Sequence, residues 1–99
     1  MKNEHNTIID KEAMYDLMVR LTEEGIRWKL INDRVVVKAY HVFGTSTFEI
    51  VMFKNRINTE YPWILHWVGD NREYKFKNID NIIDWIYALS IDWISRMEL

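Results

Sequence analysis

Histidines and acidic residues are the side chains in this sequence that could bind a metal or transfer protons. A zinc site needs three or four converging ligands from His, Cys, Asp or Glu. The chain has 3 histidines and no cysteine. The strand pattern described below points His41 and His66 to opposite faces of a sheet, and His5 lies in a polar N-terminal tail. We therefore predict no metal site and no bound cofactor.

Glu49 and His66 are the pair whose placement could support acid–base catalysis. If their strands are neighbours, a carboxylate on the outer sheet face can orient an imidazole base. The alternative is an exposed polar contact between strands, for which Lys38 or Tyr40 would serve Glu49 equally well. No nucleophile elbow, phosphate-binding glycine loop or HExxH helix accompanies the pair. We predict that the protein is not an enzyme.

Two helices are predicted, one towards each end of the chain. Asp10 is a suitable N-cap for the first, and Gly25 can supply the left-handed residue that ends it. Asn78 or Asp80 can begin the second. Both segments carry apolar residues at helical spacing, and the apolar arc of the second is wide enough to face a sheet and a neighbouring helix.

Between the helices the apolar period changes to two, which predicts five antiparallel strands beginning at Ile26. Turns are predicted at Asn32–Asp33, Gly44–Thr45 and Asp70–Asn71. The first two turns, taken independently, place the same side chains towards the core. The residues predicted to be buried on this inner face are Trp28, Val37, Ala39, Ile50, Met52, Leu65, Trp67 and Phe76.

The predicted fold class is α+β. It is a five-stranded antiparallel meander sheet with an N-terminal and a C-terminal helix packed on one face, in the order α-β-β-β-β-β-α. Residues 1–99 fit one domain, with 48% hydrophobic residues and a loose tail over 1–7. No apolar run approaches the roughly 20 residues that span a bilayer, and no secretory signal is visible, so we predict a cytoplasmic protein without a membrane partner.

The outer sheet face, which is turned away from the helices, carries the main prediction about function. Apolar side chains fill its middle and basic residues flank it. The predicted helices carry a set of acidic residues, namely Glu12, Asp16, Glu23, Glu24, Asp80, Asp84 and Asp92. An apolar centre within a charged rim is typical of protein-binding surfaces. We predict that a partner protein binds these residues: Val36, Lys38, Tyr40, Val51, Phe53, Ile64, His66, Val68 and Lys75.

Other interpretations of this pattern stay open. Basic residues and exposed aromatic rings on a sheet also favour single-stranded nucleic acid. The chain's own tail or loops could instead cover the face. Separately, the apolar end of the second helix suggests a homodimer seam at Ile91, Ile94 and Met97.

In size and general texture the chain resembles the small accessory proteins of phages and mobile elements, such as anti-CRISPR and other anti-defence proteins. Those proteins block a host or defence enzyme by occupying its surface. The resemblance implies a small non-enzymatic inhibitor that acts through protein–protein interaction. A toxin-neutralising immunity protein fits the same features. No residue pattern carries either resemblance, so neither assigns a functional residue here.

Overall fold

The structure is a computed structural model, and it describes residues 8–41, 44–56 and 59–89. The helices are α1 (Lys11–Glu23) and α2 (Ile79–Leu89), and a short 3₁₀ helix covers Lys54–Arg56. The five strands form one antiparallel sheet in chain order, namely β1 (Lys29–Ile31), β2 (Arg34–His41), β3 (Gly44–Met52), β4 (Trp63–Val68) and β5 (Arg72–Phe76). The predicted α+β meander is confirmed. No helix in the described ranges is long and apolar enough to cross a bilayer.

The ends of α1 follow from its capping residues. The Asp10 carboxylate accepts a hydrogen bond from a backbone N–H of the first turn over 3.0 Å, as predicted for an N-cap. Gly25 has a φ of +76°. The amides of Gly25 and Ile26 donate to the carbonyls of Thr22 and Leu21, which is the hydrogen-bond pattern of a Schellman motif.

β1 begins at Lys29, three residues later than predicted. Ile26 is held in the motif that ends α1, and the indole Nε1 of Trp28 donates to Thr22 Oγ1 over 2.9 Å. Both contacts tie this segment to the end of α1, so it does not extend the strand. Trp28 is therefore half-buried against the helix, and the prediction that it is buried under the sheet is wrong.

The first hairpin has the predicted turn and register. Asn32 and Asp33 have φ of +52° and +63°, which is the combination that a type I′ turn requires. Leu30 consequently pairs with Val35, as expected.

The other two hairpins keep the predicted faces but not the predicted register. The β2–β3 reversal lies two residues earlier than expected, because His41 pairs with Gly44 and not with Phe48. The β4–β5 turn lies one residue earlier, with Gly69 and Asn71 both at positive φ. Moving a turn by one residue changes the partner of each strand residue by two positions, so both changes shift the pairing by an even number of residues. Side chains alternate with a period of two, so every residue stays on its predicted face.

Both helices pack on the inner face of the sheet and share one core with it. The core residues of the helices are Met14, Leu17, Leu21, Ile82, Ile83 and Ile86, and those of the sheet include Val35, Val37, Ala39, Phe48, Ile50, Met52, Trp63 and Leu65. Trp67 and Phe76 were predicted to be buried but are only half-buried. They belong to an aromatic cluster around Trp85 of α2, whose ring centroid lies 5.8 Å from that of Phe76 and 5.3 Å from that of Phe48.

A polar network joins the two helices at one end of this core. Arg20 forms ion pairs with Asp80 and, over 3.2 Å, with Glu24. The Tyr87 hydroxyl donates to Glu24, with its oxygen 2.9 Å from Oε1. This hydrogen bond and the Arg20 guanidinium lower the pKa of Glu24, while burial and the Glu24 carboxylate raise the pKa of Tyr87.

Candidate functional site

The strand registers arrange the outer-face residues in rows that cross the sheet. The central row contains one residue from each strand, in the order Lys29, Val36, Glu49, His66 and Glu73. Both helices pack on the inner side, so in the described part of the chain no helix lies over these rows. The outer face is therefore the broad sheet surface on which a partner could be accommodated.

Glu49 and His66 are direct cross-strand partners, as the sequence suggested. His66 Nδ1 lies 3.6 Å from Glu49 Oε1, and each side chain is about a third exposed. That separation is longer than a hydrogen bond, so the two groups attract each other mainly when the imidazole is protonated. Glu73 pairs with His66 on the other side and completes a polar stripe across β3, β4 and β5.

The geometry of this stripe does not assemble a metal site. Among the residues described, no group of three His, Cys, Asp or Glu side chains is placed to hold a metal ion. A polar stripe of this kind can instead form charged hydrogen bonds to groups on a binding partner.

Val36 and Val51 lie on the outer face as predicted, but their side chains are nearly closed to solvent. They are 6% and 5% exposed. Val36 lies between Lys29 and Glu49 in its row, and Val51 is paired with Ile64. Neighbours on adjacent strands stand close enough to cover a short valine. The prediction that these two side chains are open to a partner is therefore wrong.

Phe53 is also less available than the sequence suggested. It follows β3, and its backbone forms a bridge with Ile9 of the segment before α1. The guanidinium carbon of Arg34 lies 5.7 Å from the centre of the Phe53 ring, within cation–π distance. The ring is half-buried under this contact. Arg34 was not among the predicted site residues, and only the correct register would have placed it beside Phe53.

The open part of the outer face lies towards its ends and its rim. Val68, at the end of β4, is 40% exposed, and Ile64 is half-buried. Lys38 and Lys75 are exposed, as predicted for the rim. The side chain of Tyr40 and the predicted seam residues Ile91, Ile94 and Met97 lie outside the part of the chain that the structure describes.

The two layers of the molecule carry different charges. Exposed basic side chains of the outer face are Lys29, Lys38 and Lys75. Exposed acidic side chains of the helices are Glu12, Asp16, Glu23, Asp80 and Asp84. The outer face also carries the exposed acid Glu73, and α1 carries the exposed Lys11. Among the described exposed side chains, lysines therefore outnumber acids on the outer face and acids outnumber lysines on the helices, in agreement with the prediction.

The aromatic rings of β4 and β5 face the core rather than the outer surface. Trp67 and Tyr74 pack around Trp85, with the ring centroids of Trp67 and Tyr74 6.5 Å apart. Trp63 is buried under the helices. Among the Trp, Tyr and Phe side chains that the structure describes on β4 and β5, none therefore presents a ring on the outer face on which a nucleic-acid base could stack.

Comparison of the chain with protein-family models, with curated proteins and with solved structures found no match.

Proposed function

We propose that the protein is a non-enzymatic protein-binding domain that docks a partner on the outer face of its sheet. The observation that supports this best is the composition of the face itself. A central polar stripe lies beside half-buried apolar side chains, with lysines at the rim and no described helix above it. The sequence predicted an apolar centre, whereas the middle row of the face is polar. A protein partner can form hydrogen bonds to such a row, since protein interfaces commonly contain about ten direct hydrogen bonds.

The charges of this face favour a protein partner over nucleic acid. A phosphate backbone would meet the carboxylates of Glu49 and Glu73 in the middle row, where they would repel it. A protein surface can place donors or basic groups opposite these carboxylates and acidic groups opposite Lys38 and Lys75. The partner that fits is therefore a folded protein with an acidic periphery around its contact patch.

The more specific hypotheses, an inhibitor of a host or defence enzyme and an immunity protein, stay predictions. Both are compatible with a docking face and differ in the identity of the bound protein.

Two valines with nearly equal exposure provide a matched test of the docking face. Val68 on the outer face is 40% exposed, and Val19 on α1 is 38% exposed. Replacing either by serine removes about the same apolar surface and should change the free energy of unfolding little. Wild type, Val68→Ser and Val19→Ser are compared as baits for affinity capture from a native lysate, with washes at low and moderate salt.

We expect a specific protein that survives the moderate-salt wash with wild type and Val19→Ser and is reduced several-fold with Val68→Ser. Material that consists of nucleic acid and leaves at moderate salt would contradict the proposal, because phosphate contacts weaken steeply with salt. Equal capture by the two variants would place the contact elsewhere on the molecule.

A further inference from the structure

The two edges of the sheet differ in how well they are protected against pairing with another strand. The β5 edge carries alternating charges on Arg72, Glu73 and Lys75, which is a common way to block edge pairing. The β1 edge carries one charge, on Lys29, followed by two aliphatic residues. Leu30 is 52% exposed and Ile31 is 47% exposed. Among the described strands, β1 is therefore the edge that is left open to a further strand.

The backbone of β1 offers one pair of free hydrogen-bonding groups. The residues that flank a type I′ turn, here Ile31 and Arg34, exchange hydrogen bonds within the hairpin. Antiparallel pairs alternate between bonded and non-bonded positions, so Leu30 and Val35 form a non-bonded pair. The N–H and C=O of Leu30 consequently point away from β2 towards the open edge.

A cavity that is half open to solvent lies on the inner side of this edge, between α1 and β1. Its volume is about 170 Å³, and its lining residues are Ile9, Lys11, Met14, Met18, Leu30 and Asp33. Four of these six are apolar. A residue paired with Leu30 would direct its side chain to the same inner face, because directly opposed residues share a face. The cavity therefore lies where that side chain would enter.

We propose that β1 accepts an extended segment of a partner protein as a sixth, antiparallel strand. The segment places a large apolar side chain opposite Leu30, in the cavity, and a carboxylate opposite Lys29. Lys29 is exposed on the outer face and carries the one charge of β1, which favours a carboxylate directly opposite it. Read from its N-terminus, the segment has a β-branched, a large apolar and an acidic residue in succession. Backbone pairing with a pocket for alternate side chains is a known mode of peptide recognition.

A second copy of β1 fits this edge less well. Antiparallel pairing centred on Leu30 would place Lys29 opposite Ile31 of the other copy, and it would supply no carboxylate. The proposed segment binds a surface separate from the open part of the outer face, so it does not depend on the proposed function.

The test is a titration of the ¹⁵N-labelled protein with the capped peptide acetyl-Thr-Val-Leu-Glu-Thr-amide, followed by NMR. A short edge forms few hydrogen bonds, so we expect a dissociation constant of about 1 mM. Saturable shifts should be centred on the amides of Lys29–Ile31 and on the Met14 and Met18 methyl groups. The same peptide with an N-methylated leucine lacks the donor to the Leu30 carbonyl and should not bind.

Charge exchange provides the matched control. Residue 29 and the glutamate of the peptide are cross-strand partners in the proposed pairing. Lys29→Glu should therefore weaken binding of this peptide about fivefold. The same variant should strengthen binding of a peptide that has lysine in place of the glutamate. Lys77→Glu, at an exposed lysine that follows β5 on the opposite edge of the sheet, should leave both affinities unchanged. Three results would overturn the proposal: no saturable shifts at β1, equal binding of the N-methylated peptide, or shifts of the same amides with protein concentration alone, which would assign the edge to a second copy.

Discussion

At the scale of single residues, side chains on one sheet face differ sharply in their availability to a partner. Val36 and Val68 both lie on the outer face, yet only Val68 is substantially exposed. Val36 is in the row where Lys29 and Glu49 stand on either side of it, whereas Val68 ends its strand beside Gly69. The alternation of the sequence predicts the face of a residue. It does not predict exposure, because exposure depends on which long side chains lie across the strand.

The first prediction at this scale concerns Leu65, which is fully buried in β4. Leu65→Ala should lower the free energy of unfolding by about 2–5 kcal/mol, because it removes buried apolar surface and leaves a cavity. Leu30→Ala is the control, since Leu30 lies on the same inner face but is largely exposed, and it should cost about 0.5 kcal/mol or less. Urea denaturation measures both values. Equal losses would mean that the core is centred elsewhere.

At the scale of secondary-structure elements, the turns explain which parts of the sheet could be predicted. The Asn32–Asp33 turn was predictable because both residue types tolerate the positive φ that a type I′ turn needs. Gly44 suggested a turn of its own, but this glycine lies in β3 and pairs with His41. A glycine can mark a turn or a strand end, and only long-range pairing decides between them. The predicted face of each strand residue was nevertheless correct, because both errors in strand pairing were shifts by an even number of residues.

Asp33 provides a prediction for the hairpin turn. Its φ of +63° is tolerated by aspartate but favoured by glycine. Asp33→Gly should therefore raise the free energy of unfolding by up to about 1 kcal/mol, while the β-branched Asp33→Val should lower it by a similar amount or more. Thermal and urea unfolding of wild type and of the two Asp33 variants measure these changes in the free energy of unfolding. A stabilising valine would contradict the turn type.

The helix–helix network provides a prediction about pH. The pKa of Glu24 is lowered from its ordinary value of 4.5, first by the Tyr87 hydroxyl and then by Arg20. The resulting contribution to the free energy of unfolding is present above pH 4.5 and is lost as the pH falls through the folded pKa. The pKa of Tyr87 is raised from 10.0, first by burial and then by Glu24. The resulting contribution to the free energy of unfolding is present below pH 10.0 and is lost as the pH rises through the folded pKa.

Melting curves of wild type and Tyr87→Phe between pH 2.5 and 11 test this linkage. The variant lacks the hydroxyl, so its Tm should fall less steeply than that of wild type on both the acidic and the alkaline side. Glu24→Gln should flatten the acidic side further. Curves that stay parallel across the whole range would show that the network does not couple the helices to pH.

At the scale of the whole molecule, the described exposed charges are divided unevenly between two layers: lysines predominate on the outer face, beside the acids of its middle row, and acids predominate on the helices. The sequence predicted this division because strand alternation and helical spacing assign the faces independently. It could not predict which basic residues are open, nor that Arg34 would lie over Phe53. The identity of a partner is not encoded in periodicity either, since it depends on the surface of another protein.

The most direct test of the docking face is lysine footprinting of the protein with its captured partner. An amine-reactive reagent is applied to the free and the bound protein, and modification is quantified by mass spectrometry. Lys38 and Lys75 lie on the outer face, whereas Lys11 begins α1, and all three side chains are exposed. The proposal predicts that binding protects Lys38 and Lys75 several-fold while the reactivity of Lys11 is unchanged. Protection of Lys11 with unchanged Lys38 and Lys75 would contradict it.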